Sequence, residues 1–178
     1  MHKDVEKILM SEQEIAECVD MLAKKITADY QNKDLVIAII LKGSLVFAAD
    51  LIRKIDLPLT IDFMQASSYG SGTVSSGKLE IKKNLEDDIT GKDLLIVEDI
   101  VDSGNTLFHL KEYLKHTSAA SVKLCTLLSK PDRRETDVEV EYIGKVIPDE
   151  FVVGYGLDYD QQYRNLPYIG ILKREVYE

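Results

Sequence analysis

Leu94-Leu95-Ile96-Val97-Glu98-Asp99-Ile100-Val101-Asp102-Ser103-Gly104-Asn105-Thr106 decides the fold. The apolar run Leu94–Val97 predicts a buried strand that ends in two adjacent carboxylates. A short polar turn headed by Asp102 follows, and then Leu107-Phe108-His109-Leu110-Lys111-Glu112-Tyr113-Leu114 opens a helical pattern. A strand that turns tightly into a helix N-terminus makes a phosphate site, because unpaired N–H groups and the helix dipole converge on one spot. Gly104 lets the backbone approach an anion, and Ser103 and Thr106 add hydroxyl donors.

Glu98 and Asp99 would repel a phosphate that touched them. They suit what is attached to it: sugar hydroxyls, which donate to carboxylates, or a hard cation such as magnesium. A phosphate cradle beside an acid pair that binds a diol fits a ribose 5-phosphate. Asp102 is then left near the sugar, placed for proton chemistry. An ordinary strand–turn–helix with acids at its wet end explains an isolated Asp-Ser-Gly but not the whole run.

Outward from this stretch, the pattern alternates. Ser11-Glu12-Gln13-Glu14 is a capping box that opens a helix with Ile15, Val19, Leu22 and Ile26 on one face. Leu35–Leu41 is a continuous apolar run, suited to a parallel strand buried on both faces, and it ends at Lys42-Gly43-Ser44. A helix is expected from about Leu45 to Ile55. Leu59, Ile61 and Phe63 alternate with polar neighbours, as do Leu79 and Ile81, so two strands with one wet face are expected there. The Gly/Ser-rich stretch 65–78 between them reads as a lid loop. Val122–Leu128 and Tyr142–Ile147 complete the predicted strands. Strands alternating with helices imply a doubly wound, mainly parallel α/β sheet, whose ligands bind at the carboxyl ends of the strands. Lys42-Gly43, Glu98-Asp99 and Ser129-Lys130 all fall at such ends. No strand is followed by G-x-G-x-x-G, which argues against a dinucleotide dehydrogenase.

The bulk numbers exclude other classes. The 178 residues make one domain, and 45% hydrophobic content supports a real core. A net charge of −9 argues against general nucleic-acid or anionic-membrane binding. No signal-peptide pattern or membrane-spanning run is present, and Cys18 and Cys125 sit far apart in regular elements, so a reduced cytoplasmic protein is expected. His109 and His116 form no metal-ligand pattern.

The central run resembles the phosphoribosyl-pyrophosphate (PRPP) motif of the type I phosphoribosyltransferases. Leu41-Lys42-Gly43, Ser68-Tyr69, Ser129-Lys130-Pro131 and Ile147–Tyr159 narrow the likeness to the bacterial hypoxanthine-guanine branch, with Tyr163-Arg164-Asn165-Leu166 completing the purine hood. The resemblance covers roughly Leu35 to Ile171. It implies a single domain over residues 1–178, with a core at about 35–140, a hood from the N-terminal segment and about 141–178, and a lid hairpin.

It also implies roles. Glu98 and Asp99 would hold the ribose hydroxyls directly or through magnesium, and Asp158 would bind a second magnesium. Asp102 would handle the proton at purine N7. Ser103, Gly104, Asn105 and Thr106 would cradle the 5-phosphate. Lys42 and Gly43 would contact pyrophosphate through a peptide that is strained and often cis in such enzymes, together with Arg164. Lys130 would donate to the purine 6-oxo group, Phe151 would stack on the base, and Val152 would meet its exocyclic side through its backbone. Ser68 and Tyr69 would ride on the lid. The implied substrates are PRPP and hypoxanthine or guanine, the products IMP or GMP and pyrophosphate, and the assembly a homodimer or homotetramer. Xanthine stays open as a base, since Lys130 would accept its 6-oxo group too. A nucleic-acid-binding regulator that keeps the PRPP site is the rival class, with the acidic charge against it.

Overall fold

The computed structural model describes residues 1–69 and 78–178, the side chains of Ser68, Tyr69 and Lys78 excepted. The elements run β1 (Val5–Met10), α1 (Glu12–Asp29), β2 (Leu35–Ile40), α2 (Leu45–Ile52), β3 (Leu59–Tyr69), β4 (Lys78–Lys83), β5 (Asp93–Val101), α3 (Asn105–Lys115), β6 (Ser121–Ser129), β7 (Tyr142–Val146), β8 (Val152–Val153), β9 (Ile169–Leu172) and α4 (Arg174–Tyr177).

The large sheet has the order β4-β3-β2-β5-β6-β7. All its pairings are parallel except β3 with β4. Every residue of the central strand β2 is buried, as its unbroken apolar run requires. Its side chains alternate between two cores. Leu35, Ile37 and Ile39 pack with α1 and α2 through Ile15, Leu22, Phe47 and Leu51. Val36, Ala38 and Ile40 pack with α3 through Leu107, Leu110 and Leu114. The sheet is therefore covered on both faces, the doubly wound arrangement that the sequence predicts.

Local signals explain where α1 begins. The Ser11 Oγ accepts the Glu14 N–H at 3.3 Å, and the Glu14 carboxylate accepts the Ser11 N–H at 2.8 Å. The second helix stops at Ile52 rather than near Ile55. The expected loop 65–78 starts later than predicted, because Gln65–Tyr69 continue β3 and pair with β4. Residues 70–77 lie outside the described residues.

A second, three-stranded antiparallel sheet of order β1-β9-β8 is built from the two end segments of the chain that were expected to make the hood. Val5, Val153 and Leu172 fill its own small core. Tyr142–Val146, which the sequence reading assigns to the hood, is instead the outer strand of the large sheet, paired with β6. No helix among the described residues is long and apolar enough to cross a membrane.

Candidate active site

Parallel pairing in register brings the ends of β2, β5 and β6 to one edge, with Ile39 opposite Val97 and Val101 opposite Ser129. A pocket of about 360 Å³ opens there, lined by Glu98, Asp99, Asp102, Ser103, Gly104 and Thr106 together with Ala66, Ser67, Ile100 and Leu107. A cleft of about 470 Å³ between α1, α2 and the hood has largely apolar walls, including Ile15, Val19 and Leu166. The smaller pocket is the one with chemistry for a sugar phosphate.

Gly104 is the residue before α3 and has φ +85°, a left-handed conformation that favours glycine. A Cβ there would come within 2.4 Å of the Thr136 carbonyl oxygen. The turn is fixed from outside as well. The Ser103 carbonyl accepts N–H groups from Glu135 and Thr136 at 2.9 and 3.0 Å. Asn105 uses its side chain in the same contact: Nδ2 donates to Glu135 at 2.8 Å, and Oδ1 accepts the Thr136 hydroxyl. Of the four expected cradle residues, Asn105 thus spends its side chain on bracing the turn, while Ser103, Gly104 and Thr106 line the pocket.

The acid pair lies within β5, which continues past the expected end at the two carboxylates to Val101 because its ladder with β6 runs on. The Asp99 N–H donates to Glu98 at 3.1 Å, and the Ile100 N–H donates to Asp99 at 2.7 Å. Burial raises the Glu98 carboxyl well above its usual range, and the adjacent Asp99 carboxylate pushes the same way. Burial raises Asp99 too, against hydrogen bonds from Glu98 and the Ile100 N–H and the charge of Arg164. Two crowded carboxyls of this kind are stabilised by a cation. Among the described residues no group of three or more His, Cys, Asp or Glu side chains forms a ready-made metal cluster.

The peptide between Leu41 and Lys42 is cis. Gly43 packs on the Asp99 carboxylate, and Gly156 of the hood packs in turn on the Gly43 carbonyl, where a Cβ would lie at 2.0 Å. Lys42 Nζ and Arg164 Nη2 both donate to Gln161 Oε1 at 3.2 Å. Arg164 also pairs with Asp158 at 2.8 Å and donates to the Gly156 carbonyl at 2.8 Å. The structure therefore joins Lys42, Gly43, Asp158 and Arg164 into one cluster beside Asp99. Gln161, its common acceptor, was not foreseen, because a glutamine in a polar turn carries no sequence signal.

Lys130, which does not line the pocket of the acid pair, is buried just after β6, and its N–H donates to the Val101 carbonyl at 2.9 Å. Burial lowers the Lys130 ammonium, and the Asp102 and Asp149 carboxylates oppose that shift. Val152 is buried in β8, opposite Ile171 of β9. Phe151 is part-buried in the hood, with Tyr177 stacked on one face at 4.8 Å and Tyr159 edge-on at 5.5 Å. Ser68 and Tyr69 close β3, with side chains outside the described residues.

Residues 4–160 match the family described as the phosphoribosyl transferase domain. The chain is 52% identical over 177 residues to a hypoxanthine-guanine phosphoribosyltransferase of Staphylococcus aureus, covering 99% of each chain. It is 51% identical to the bifunctional protein TilS/HprT of Listeria innocua, of which it spans only 27% of the length. A crystal structure of a hypoxanthine phosphoribosyltransferase from Staphylococcus aureus superposes with a TM-score of 0.96 at 52% identity, over 100% of this chain and 97% of that one.

Proposed function

The chain belongs to the phosphoribosyl transferase family, and from that premise we propose that it transfers the 5-phosphoribosyl group of PRPP to N9 of hypoxanthine or guanine, a purine-salvage reaction that yields IMP or GMP and pyrophosphate. The observation that carries this reading is the single pocket in which the Glu98–Asp99 pair and Asp102 face the Gly104 turn at the start of α3. That pocket has an anion cradle, a diol-binding acid pair and a separate carboxylate, the parts that a phosphoribosyl transfer needs.

Glu98 and Asp99 hold the ribose hydroxyls. As the bond at the anomeric carbon breaks, oxocarbenium-like positive charge builds there, and fixed carboxylates stabilise it. Ser103, Gly104 and Thr106 bind the 5-phosphate, with Asn105 bracing the turn. Lys42, the Gly43 backbone and Arg164 receive the departing pyrophosphate. Lys130 donates to the 6-oxo group, which selects against the amino group of adenine, since a site built for one hydrogen-bonding pattern strongly rejects the other. Phe151 offers a flat apolar surface to the base, and the Val152 backbone meets its exocyclic edge. Asp102 exchanges the proton at N7; general acid–base help of this kind is typically worth ~10²–10⁴-fold.

Magnesium fits the donor set. Glu98 and Asp99 for one ion and Asp158 for a second are hard oxygen ligands, and the raised carboxyls of the pair favour a neighbouring cation. When bound, the ion would neutralise charge on the pyrophosphate. Two free cysteines support a reducing cytoplasm. Exposed Leu45 and Val46, beside the Lys42-Gly43 loop, support a homodimer or homotetramer. The test is product stoichiometry with hypoxanthine, PRPP and magnesium. Equimolar IMP and pyrophosphate are expected, and pyrophosphate without IMP would mean that the protein only hydrolyses PRPP.

A further inference from the structure

Arg133 has no part in the roles above, yet its guanidinium lies between carboxylates from two regions of the chain. Nε is 3.2 Å from Oδ1 of Asp102, and Nη1 is 3.5 Å from Oδ1 of Asp149. Asp102 heads the turn after β5. Asp149 lies in the segment between β7 and β8, just before Phe151. The Asp102 oxygen is shielded from solvent and accepts no hydrogen bond from the described residues. Among the described residues, its ion-pair partner is Arg133.

Stability does not explain this placement. The Arg133 and Asp102 side chains are 53% and 45% exposed, and ion pairs so open to water contribute only ~0–1 kcal/mol. Chemistry explains it better. The segment that carries Arg133 begins at Lys130, the donor to the base. It ends at Glu135 and Thr136, whose N–H groups hold the Ser103 carbonyl. Arg133 therefore projects from a strap tied at its far end to the turn that bears Asp102. The other charges around this corner are Lys130 just after β6, Asp149 and Glu150 from the hood approach, and Glu98 and Asp99 from β5.

We propose that Arg133 is a positioning residue for the transfer reaction: it fixes the Asp102 carboxylate and ties it through Asp149 to the hood that holds the purine. This rests on the proposed function, in which Asp102 meets the N7 proton. A carboxylate that swings freely loses that alignment, and a misplacement of about 1 Å can cost ~10²-fold in rate. Arginine suits the task because its planar fork reaches two carboxylates at once, whereas a lysine reaches one.

Steady-state kinetics of Arg133→Gln, Arg133→Lys, Asp149→Asn and the Arg133→Gln/Asp149→Asn double variant test it. Arg133→Gln should lower kcat by about ten- to a hundredfold while KM for PRPP stays within about twofold. Its Tm should stay within about 3 °C of the parent's, as expected for an exposed pair. Arg133→Lys should recover only part of the kcat, because an ammonium keeps the charge beside Asp102 but reaches one carboxylate rather than two. The double variant should be no slower than Arg133→Gln, because Asp149 acts through Arg133. A kcat within twofold of the parent in Arg133→Gln, a loss seen only in KM or Tm, or losses that multiply in the double variant would each overturn the assignment while leaving the proposed function intact. A parent protein that turns over no base would overturn the proposed function and this inference with it.

Discussion

The backbone of Gly43 lies directly on the carboxylate of Asp99, so close that a Cβ at residue 43 would fall 1.8 Å from Oδ2. These residues meet because β2 and β5 are parallel neighbours, so the loop after β2 comes down beside the carboxyl-terminal part of β5. The atom in the way is the tip of a side chain, so Gly43→Ala is accommodated by moving Asp99. The fold should survive with Tm nearly unchanged, while kcat/KM for PRPP falls at least about tenfold as the diol-binding acid shifts. Thermal melts beside PRPP saturation curves check both halves.

Gly104→Ala should behave differently. The left-handed φ penalises a side chain, and the Cβ would strike the Thr136 backbone rather than a flexible tip. Strain of this kind costs ~1–3 kcal/mol. Both Tm and PRPP affinity should drop, and a variant that keeps parental KM for PRPP would remove Gly104 from the cradle.

Lys111 tests the support behind the cradle. It is buried in α3, pairs with Glu141 at 2.7 Å and donates to the Glu139 carbonyl at 2.8 Å. Glu141 also accepts the Leu124 N–H of β6 at 2.8 Å. Removing one partner of a buried pair leaves an uncompensated charge and costs ~3–5 kcal/mol. Lys111→Met should therefore lower the urea midpoint markedly, and an unchanged midpoint would show the pair to be dispensable.

Asp62 gives a pH dependence. Burial alone would raise its carboxyl, but it accepts backbone N–H groups from Phe63, Glu86 and Asp87, and the net result lies below the ordinary carboxylate range. A depressed folded-state value stabilises the protein above the unfolded value of ~3.9, and that contribution is lost as pH falls through the lower folded value. Asp62→Asn should be less stable than the parent at pH 7, and the gap should narrow below about pH 4. Urea titrations across that range measure it; a constant gap would assign the loss to packing.

What was legible in the sequence was local. The Ser11–Glu14 box names its own helix start, and the unbroken run of β2 names a strand covered on both sides. The turn from Glu98 to Thr106 is legible for the same reason, since strand, acids, glycine and helix start lie within a few residues. Elements completed by distant partners were not legible. Val5–Met10 becomes a strand only by pairing with β9 at the other end of the chain, across two irregularities in register. Gln65–Tyr69 reads as loop because its residues are polar or small, yet the ladder with β4 makes it strand. Gln161 and Arg133 escaped notice because their meaning lies in what they touch, Lys42 and Arg164 for one, Asp102 and Asp149 for the other.

The central claim is tested most directly by initial rates with PRPP and magnesium against hypoxanthine, guanine, xanthine and adenine in parallel. The account predicts turnover of hypoxanthine and guanine with little or none of adenine, because Lys130 offers a donor to the 6-position. Equal use of adenine would contradict the role given to Lys130. No turnover of any base, despite tight binding of PRPP or GMP, would contradict the transferase reading itself.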